Sequence, residues 1–467
     1  MLTPDICVIG AGSAGLTVAA AARSFGHSVV LVERHKMGGD CLNYGCVPSK
    51  SLIAAAKHAA SARAGERFGV SAAPAVDFQA VHDHVHGVIA AIAPHDSVER
   101  FEGLGVTVLQ EDARFLDADT VAAGDHTIKA RRFVVATGSS PLVPPIEGLA
   151  AIDPLTNESV FDLTALPKSL AIIGGGPIGS ELGQAFARLG TAVTIVTAET
   201  ILERDDPDAV AVVRDQLVAD GVKLRENVAV SRVSGGPQEA TLHLGDGGTV
   251  TADRVLVAVG RSANVDGLDL DKAGISFGRG GITVSPGLRT TNKRVFAIGD
   301  VAGGLQFTHV AGHQASLAVR AIVFRMPVKY DPDLMPRVTF TAPELAQVGL
   351  TEAAAKARDN AAVAHTVPFS SNDRAKADGV SAGFVRLVVS GKGKLLGATI
   401  VGPHAGELIA TYALALAGKV PLQTIASFTP AYPTLSETGK RAAVAHFAEK
   451  LGKPWVNKVL GLLKRLP

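Results

Sequence analysis

The sequence predicts an α/β fold with two dinucleotide-binding domains, each built around a parallel sheet. An apolar run, a glycine-rich turn and a small-residue helix follow one another near the N-terminus, and the same arrangement returns in the middle of the chain. Other short apolar runs end in glycine or aspartate, as strands do at the nucleotide crevice of a doubly wound sheet.

The first arrangement runs from "DICVIG" through "GAGSAG" to "SVVLVE", which is typical of strand, turn, helix and strand. In the turn, Gly10 allows the tight bend, Gly12 lets the backbone approach a pyrophosphate, and Gly15 lets the helix pack on the strand. Glu33 ends the second strand, 18 positions after Gly15, where a carboxylate can accept hydrogen bonds from a ribose. The pattern indicates a Rossmann-like dinucleotide site.

The second arrangement is "SLAIIGGGPIGSELGQAFARLGTAVTIVT". Its three glycines stand 164 positions after those of the first loop, at Gly174, Gly176 and Gly179. The same offset from Glu33 leads to Thr197, so the acidic ribose partner is missing. Arg204 is the nearest basic candidate for a 2′-phosphate, and Glu199 competes with it. The choice between NADH and NADPH stays open, with a lean towards NADPH.

Three further stretches have the character of short buried strands. "RRFVVATG" ends at Gly138, "DRVLVAVG" ends at Gly260, and "RVFAIGD" ends at Asp300. Each lies at a distance from the glycine loops that suits a doubly wound sheet, whose ligands bind beyond the carboxyl ends of its strands.

Composition excludes several functional classes. The 467 residues carry 45 Lys plus Arg against 44 Asp plus Glu, and only 5% of them are aromatic. We therefore expect neither nucleic acid nor an anionic membrane as the main partner. The apolar runs fall short of the roughly 18 residues that span a bilayer. Three cysteines do not make a secreted disulfide scaffold of this length, which favours a reducing, cytoplasmic location.

The segment "GGDCLNYGCVPSK" holds Cys41 and Cys46. A zinc site would need a second ligand pair, but only His35 is near, so we expect no metal. Closing so short a loop removes little chain entropy, which argues against a structural staple. A redox-active pair fits best: Cys46 opens an expected helix, and Lys50 adds positive charge. Cys41 must then precede that helix or distort its first turn, whereas Cys7 is expected to be inert packing.

With these motifs, nearly the whole chain resembles the class I pyridine nucleotide–disulfide oxidoreductases, which include lipoamide dehydrogenase, glutathione reductase and mercuric reductase. "GRSANVDGL" at 260–268, "RVFAIGD" at 294–300 and "TFTAPELAQVGLTE" at 339–352 extend the resemblance. It implies bound FAD, the substrate NAD(P)H and a homodimer. It also implies four segments: FAD-binding 1–150 and 266–335, NAD(P)-binding 151–265, and an α+β dimerisation domain over 336–467.

The resemblance also assigns roles. Cys41 would be the interchange thiol that meets a disulfide substrate, and Cys46 would lie against the flavin. Lys50 would sit near the flavin ring, paired with Glu181. Besides the first glycine loop, the resemblance implies FAD contacts at Glu33, Ala113, Gly138 and Asp300. Besides the second glycine loop, it implies NAD(P)H contacts at Thr197 and Gly260.

The C-terminal region departs from the family pattern. Lipoamide dehydrogenases and glutathione reductases carry an acid/base His there, but "AYPTLSETGKRAA" has Tyr432, with the orienting acid kept as Glu437. Tyrosine is a poor base at pH 7 because its pKa is about 10. His309 is an alternative titrating group near the flavin region. Mercuric reductases use a C-terminal cysteine pair, whereas no cysteine follows Cys46 in this sequence.

These observations predict an FAD-dependent NAD(P)H:disulfide oxidoreductase that acts on a small disulfide or dithiol, or on a carrier protein. Two alternatives stay open: a mercuric-reductase-like enzyme that reduces a metal ion or a quinone, and the flavoprotein component of a larger redox complex. The last stretch, "KPWVNKVLGLLKRLP", mixes Trp455 and aliphatic residues with basic ones. We expect a terminal helix on the dimer, with a weak membrane or partner contact as the alternative.

Overall fold

A computed structural model describes residues 1–451 and 454–466. Contacts between Cα atoms divide the chain into two units. The first comprises Met1–Gly175, Ala185–Ala198 and Val228–Pro332, and the second comprises Gly176–Gln184, Glu199–Asn227 and the chain from Asp333 onwards.

The described residues form helices α1 (Ser13–Ser24), α2 (Gly39–Asn43), α3 (Cys46–Arg63), α4 (Phe78–Ile92), α5 (Val98–Gly103), α6 (Pro177–Leu189), α7 (Pro207–Ala219), α8 (Thr308–Ile322), α9 (Glu352–Arg358), α10 (Asp373–Ala377), α11 (Ala405–Ala417), α12 (Leu422–Ser427), α13 (Ser436–Leu451) and α14 (Pro454–Leu463).

They also form strands β1 (Ile6–Ile9), β2 (Val29–Val32), β3 (Thr107–Leu109), β4 (Ala113–Phe115), β5 (Val121–Ala123), β6 (His126–Ile128), β7 (Arg132–Val135), β8 (Ser139–Pro141), β9 (Ser169–Ile173), β10 (Ala192–Val196), β11 (Lys223–Arg225), β12 (Val230–Gly236), β13 (Glu239–Leu244), β14 (Thr249–Ala252), β15 (Arg254–Val257), β16 (Arg261–Ala263), β17 (Phe277–Gly278), β18 (Gly281–Ile282), β19 (Val295–Ala297), β20 (Arg337–Thr339), β21 (Glu344–Gly349), β22 (Val363–Pro368), β23 (Phe384–Val389) and β24 (Leu395–Gly402).

The first unit is centred on a parallel sheet with strand order β19-β7-β1-β2-β3. In β1, Val8 pairs with Leu31 on one side and Val134 on the other. Its strands are rich in Val and Ile and read as unbroken apolar runs, because both faces of a parallel sheet are normally covered. This is the doubly wound architecture that the sequence predicts.

Alternate residues of these strands enter two separate cores. Val8 and Phe296 pack with the small residues of α1 and the apolar face of α8. Cys7 and Phe133 face the other side, where Phe115 of the β4-β5-β6 meander covers them. Cys7 is fully buried, and burial raises the pKa of its thiol to about 12, which confirms its role as inert packing.

The middle of the first unit repeats the parallel arrangement. Strand β9 lies between β10 and β15 and runs parallel to both, and β12, β13 and β14 form an antiparallel meander. Both glycine loops therefore follow a buried central strand, at the carboxyl end where a doubly wound sheet binds its ligand.

The second unit contains an antiparallel sheet with strand order β20-β21-β24-β23-β22, against which α11 and α13 pack. Its core includes Leu387, Ile400 and Ile409, so the predicted α+β character is confirmed. At its end, α14 exposes aliphatic side chains at Val459, Leu460, Leu462 and Leu463, whereas the side chain of Trp455 lies outside the described residues. In the part of the chain that the structure describes, no helix has the length and apolar character to cross a membrane.

Candidate active site

The two cysteines lie on different helices. Cys41 is in the five-residue helix α2, and Cys46 is the first residue of α3. Gly38 has a left-handed backbone and its amide donates to the Ala11 carbonyl oxygen at 3.0 Å, which ties this segment to the first glycine loop. Of the two expected geometries, the structure shows the one in which Cys41 precedes the long helix.

Both cysteines are free thiols in the structure, and their interaction moves the two pKa values in opposite directions. The Cys46 sulfur lies 3.1 Å from the Thr308 hydroxyl oxygen. Hydrogen bonds from Cys41 and Thr308 and the charge of Lys50 outweigh burial and lower the pKa of Cys46 to about 6. The pKa of Cys41 is raised, because its proton is held by the Cys46 thiolate and because it is buried. The pair therefore carries one negative charge near pH 7.

Thr308 is the first residue of α8, so the N-termini of α3 and α8 meet at the Cys46 sulfur. Each end contributes partial positive charge, which stabilises a thiolate. Sequence analysis selected the next residue, His309, whose ring instead stacks on Phe307 with centroids 5.4 Å apart. The sequence signal that could have identified Thr308 is a hydroxyl residue at the start of a helix.

The first glycine loop has the conformation that a nucleotide needs. Gly10 has a φ of +104°, and a Cβ there would lie 2.4 Å from the Ala136 carbonyl oxygen. The loop is open at Gly12, whose Cβ would meet only Gly39 Cα, at 3.9 Å. The N-cap residue of α1 is Gly12, and no side-chain cap is present there among the described residues, so the amides of the first turn are available to a phosphate.

Glu33 follows β2 and turns its carboxylate towards the glycine loop. One oxygen accepts a hydrogen bond from the Ala11 amide at 2.6 Å, and the other accepts from the His35 amide at 2.8 Å. A carboxylate has further lone pairs for a ribose diol. The open loop, the uncapped helix and this carboxylate fit the adenosine half of FAD.

Asp300, a predicted FAD contact, lies three residues after the end of β19. Its carboxylate accepts a hydrogen bond from the Ser139 hydroxyl at 2.6 Å, and burial raises its pKa. Gly138 directly precedes β8 and Gly260 directly precedes β16, and because these two strands pair antiparallel, the two glycines lie at opposite ends of the ladder. Ala113, in contrast, lies in β4 and pairs with Ala123.

The second glycine loop resembles the first at the glycine that follows its central strand. Gly174 has a φ of +116°, and a Cβ there would lie 2.4 Å from the Ala258 carbonyl oxygen. A Cβ on Gly176 would meet no described atom within 4 Å. Thr197 directly follows β10, at the position that Glu33 takes in the first domain, and Arg204 is exposed.

The structure gives Glu181 a partner within its own unit. Its carboxylate accepts a hydrogen bond from the Phe340 amide at 2.8 Å, and only 6% of the residue is exposed. Lys50 donates to the Ser49 hydroxyl at 3.4 Å. The pairing of Lys50 with Glu181 stays a prediction.

The C-terminal residues of the expected site differ in exposure. Tyr432 is 71% exposed, and its hydroxyl donates to Asp373 Oδ2 at 3.3 Å. The negative charge of Asp373 and this hydrogen bond raise the pKa of Tyr432, so the phenol stays protonated at neutral pH. Among the described residues, Glu437 Oε2 is buried without a hydrogen-bond partner.

Sequence analysis missed a polar network beside the redox segment. It consists of Asp40, Ser139, Asn157 and Arg261, which come together through hydrogen bonds and an ion pair. Arg261 directly follows Gly260 and Asp40 directly precedes Cys41, but nothing in their local sequence indicates that they meet. Within residues 1–451 and 454–466, no group of three or more acidic, His or Cys side chains is arranged to hold a metal ion.

Comparisons with known proteins agree with this geometry. Residues 4–315 match the family described as pyridine nucleotide-disulphide oxidoreductase, and residues 335–443 match its dimerisation domain. A dihydrolipoyl dehydrogenase from Geobacillus stearothermophilus is 36% identical over 94% of this chain and 95% of its own length. A mercuric reductase from Staphylococcus aureus is 33% identical over 94% of this chain and 82% of its own length.

A solved structure is similar throughout. The HOCl-induced flavoprotein disulfide reductase RclA from Escherichia coli superposes with a TM-score of 0.84 at 26% identity, over 94% of this chain and 99% of its own. Two nucleotide-binding domains and a thiol pair at a helix start define a flavin-dependent disulfide oxidoreductase. This chain belongs to the pyridine nucleotide-disulphide oxidoreductase family. It is an FAD-dependent enzyme that uses NAD(P)H.

Proposed function

We propose that this enzyme is an NAD(P)H-dependent reductase of a disulfide substrate, with Cys41 as the interchange thiol and Cys46 as the thiol that faces the flavin. The observation that carries the proposal is the environment of Cys46, which begins α3 and whose sulfur lies 3.1 Å from the Thr308 hydroxyl oxygen. The interaction with Cys41, the Thr308 hydroxyl and the charge of Lys50 lower the pKa of Cys46 to about 6. Such a pair has a thiolate ready at neutral pH without a separate base.

When bound, FAD accepts a hydride from NAD(P)H and supplies the electron pair that reduces the Cys41–Cys46 disulfide. We assign the FAD contacts to the first glycine loop, Glu33, Ala113, Gly138, Lys50 and Asp300. The NAD(P)H contacts are assigned to the second glycine loop, Glu181, Thr197 and Gly260. The hydrogen bonds of Glu33 to the Ala11 and His35 amides support the first assignment, because they fix the carboxylate at the loop.

The thiol steps then need no other oxidant or reductant, and they take up one proton from outside the pair. Cys41 passes its proton to the Cys46 thiolate and attacks one sulfur of the substrate, so a mixed disulfide forms and the first substrate thiolate leaves. Cys46 releases that proton and attacks the Cys41 sulfur, so the Cys41–Cys46 disulfide forms and the second thiolate leaves. The proton that Cys46 releases and one further proton, from Tyr432 or from solvent, convert both leaving groups to thiols, and two electrons have passed to the substrate.

Tyr432 favours this direction of turnover. Its phenol stays protonated near neutral pH because Asp373 raises its pKa. A protonated phenol can donate to a leaving thiolate, whereas oxidation of a dithiol needs a group that removes protons. We propose that Tyr432 is that donor and that Glu437, with its buried oxygen, orients it or a substrate group. Dihydrolipoamide oxidation would accordingly be slow.

We further propose a homodimer in which residues 336–467 complete the substrate pocket of the partner subunit. The match of residues 335–443 to a dimerisation domain supports this arrangement. The proposed FAD-binding segments are 1–150 and 266–335, and the proposed NAD(P)-binding segment is 151–265. The exposed aliphatic face of α14 would pack on the dimer, and binding of the intact enzyme to anionic vesicles would instead reveal a membrane contact.

Two finer assignments follow from the sequence. We propose NADPH as the preferred reductant, because Thr197 places no carboxylate where a 2′-phosphate would lie and Arg204 is exposed nearby in sequence. We also propose a cytoplasmic location, supported by the low cysteine count.

A second candidate is reduction of a metal ion, which the names of the mercuric reductase relatives favour. Anaerobic stopped-flow oxidation of NADPH and NADH with lipoamide, glutathione disulfide and Hg(II) separates the two, in wild type and Cys41→Ser. Turnover on a disulfide that is lost in Cys41→Ser supports the disulfide reductase. Turnover on Hg(II) with none on either disulfide supports the metal reductase and overturns the first proposal.

A further inference from the structure

Arg261 joins three separate parts of the first unit. Its Nη2 atom lies 3.0 Å from Asp40 Oδ1 and donates to the Ser139 carbonyl oxygen at 2.7 Å. Its Nε atom donates to the Ser139 hydroxyl at 2.7 Å and lies 3.9 Å from Asp300 Oδ2. Only 11% of the arginine side chain is exposed, so this is a desolvated charge between two carboxylates.

Asp40 is linked to the loop between the two cysteines. Asn157 Nδ2 donates to Asp40 Oδ1 at 3.0 Å and to the Tyr44 carbonyl oxygen at 3.2 Å. A Cβ on Gly45 would lie 2.7 Å from Asp40 Oδ2, so the backbone closes on the carboxylate. The Asp40 side chain therefore fixes the loop that sets the spacing of the sulfurs.

The Asp40 carboxylate also disfavours ionisation of the nearby Cys46 thiol. Its negative charge raises the pKa of Cys46, against the lowering by Cys41, Thr308 and Lys50. Asp40 also raises the pKa of Asp300. An unpaired carboxylate at this place would make the thiolate less favourable, because like charges at short range disfavour each other.

We propose that Arg261 is a positioning residue: its ion pair lets Asp40 hold the Cys41–Cys46 loop while it weakens the repulsion between this carboxylate and the reactive thiolate. Asn157 supports the same carboxylate by a neutral hydrogen bond, and Ser139 fixes the guanidinium. The inference rests on the proposed use of the Cys41–Cys46 pair, but it does not depend on which acceptor the enzyme reduces.

The test measures ionisation of the pair in the intact holoenzyme. The reduced enzyme is alkylated anaerobically with iodoacetamide over a range of pH, and mass spectrometry follows modification at Cys41 and Cys46. Cys7 is fully buried and does not contribute in the folded protein. Arg261→Met should raise the first apparent pKa of the pair by about one unit, and Arg261→Lys should raise it less.

Asp40→Asn provides the matched control, since the amide oxygen can still accept from Asn157 and Arg261. It should lower the apparent pKa, and the double variant with Arg261→Met should return it towards the wild-type value. Unchanged apparent pKa values in Asp40→Asn and Arg261→Met would overturn the inference. Should Arg261→Met not fold or not retain FAD, Asp40→Asn and Arg261→Lys decide the matter alone. If the pair titrates as expected but the wild-type enzyme turns over no disulfide, the result counts against the proposed function and not against this inference.

Discussion

The hydroxyl oxygen of Thr308 lies 3.1 Å from the sulfur of Cys46, at the point where α3 and α8 both begin. The thiol therefore meets a hydroxyl donor and the positive ends of two helices at once. Lys50, one turn along α3, adds a full charge to this environment. Cys41 contributes most, and Thr308 and Lys50 add to it, so the pKa of Cys46 falls to about 6 in spite of burial.

Replacing Thr308 with valine should raise the pKa of Cys46 by about one unit, because a hydrogen bond to a charged group is worth roughly 1.5–3 kcal/mol. The ionised form exists above the pKa, so the thiolate fraction at pH 7 falls and the alkylation profile moves to higher pH. Thr308→Ser keeps the hydroxyl and serves as the control. Coincident profiles for the valine and serine variants would show that the hydroxyl does not matter.

The two glycine loops can be disabled separately. Gly10→Ala and Gly174→Ala each place a Cβ 2.4 Å from a carbonyl oxygen at a positive φ. We expect Gly10→Ala to lose FAD. Gly174→Ala should keep FAD but raise the KM for NADPH. Gly26→Ala, at a φ of +82° with no described atom within 4 Å, isolates the cost of backbone strain, about 1–2 kcal/mol. Loss of FAD from Gly174→Ala but not from Gly10→Ala would reverse the assignment of the loops.

Glu33→Gln tests the proposed ribose contact. Glutamine has one acceptor oxygen where Glu33 uses two, so one of the bonds to the Ala11 and His35 amides is lost. We expect FAD to dissociate roughly ten times more readily, since a hydrogen bond from the ribose to a neutral acceptor is about 1.5 kcal/mol weaker than one to a carboxylate. Flavin fluorescence during dialysis measures how readily FAD dissociates. Thr197→Val, at the equivalent place in the second domain, should leave FAD retention unchanged.

Tyr432 can be tested in both directions of turnover. Tyr432→Phe removes the proposed proton donor and should slow disulfide reduction by about 10²-fold, while reduction of the flavin by NADPH keeps its rate. Tyr432→His supplies a group that titrates near neutral pH and should speed dihydrolipoamide oxidation. An unaltered reduction rate in Tyr432→Phe would remove Tyr432 from the mechanism.

Much of this fold could be predicted from local sequence. The glycines at Gly10 and Gly174 stand in identical settings because the backbone comes so close to another strand that no side chain fits. The glycine spacing of each loop predicts this close approach. The local sequence likewise predicts that Cys46 begins a helix. Glu33 was likewise predictable, since it must end the strand next to its loop.

The parts that sequence reasoning missed are long-range contacts. Thr308 contacts Cys46 across 262 positions of sequence. Arg261 begins β16 and pairs with Asp40, but the sequence around it indicates only a turn. Such partners are set by how helices and strands pack, and a single sequence carries no periodic signal for them. His309 was the residue selected from the sequence, yet its neighbour Thr308 makes the contact.

The central claim is that electrons pass through Cys41 and Cys46. One measurement tests it most directly: the oxidised enzyme is reduced anaerobically with one equivalent of NADPH, quenched in denaturant with iodoacetamide, and each cysteine is assayed by mass spectrometry. The account predicts that Cys41 and Cys46 become alkylated together, while Cys7 is alkylated before and after reduction. Consumption of NADPH without any change at Cys41 and Cys46 would contradict it.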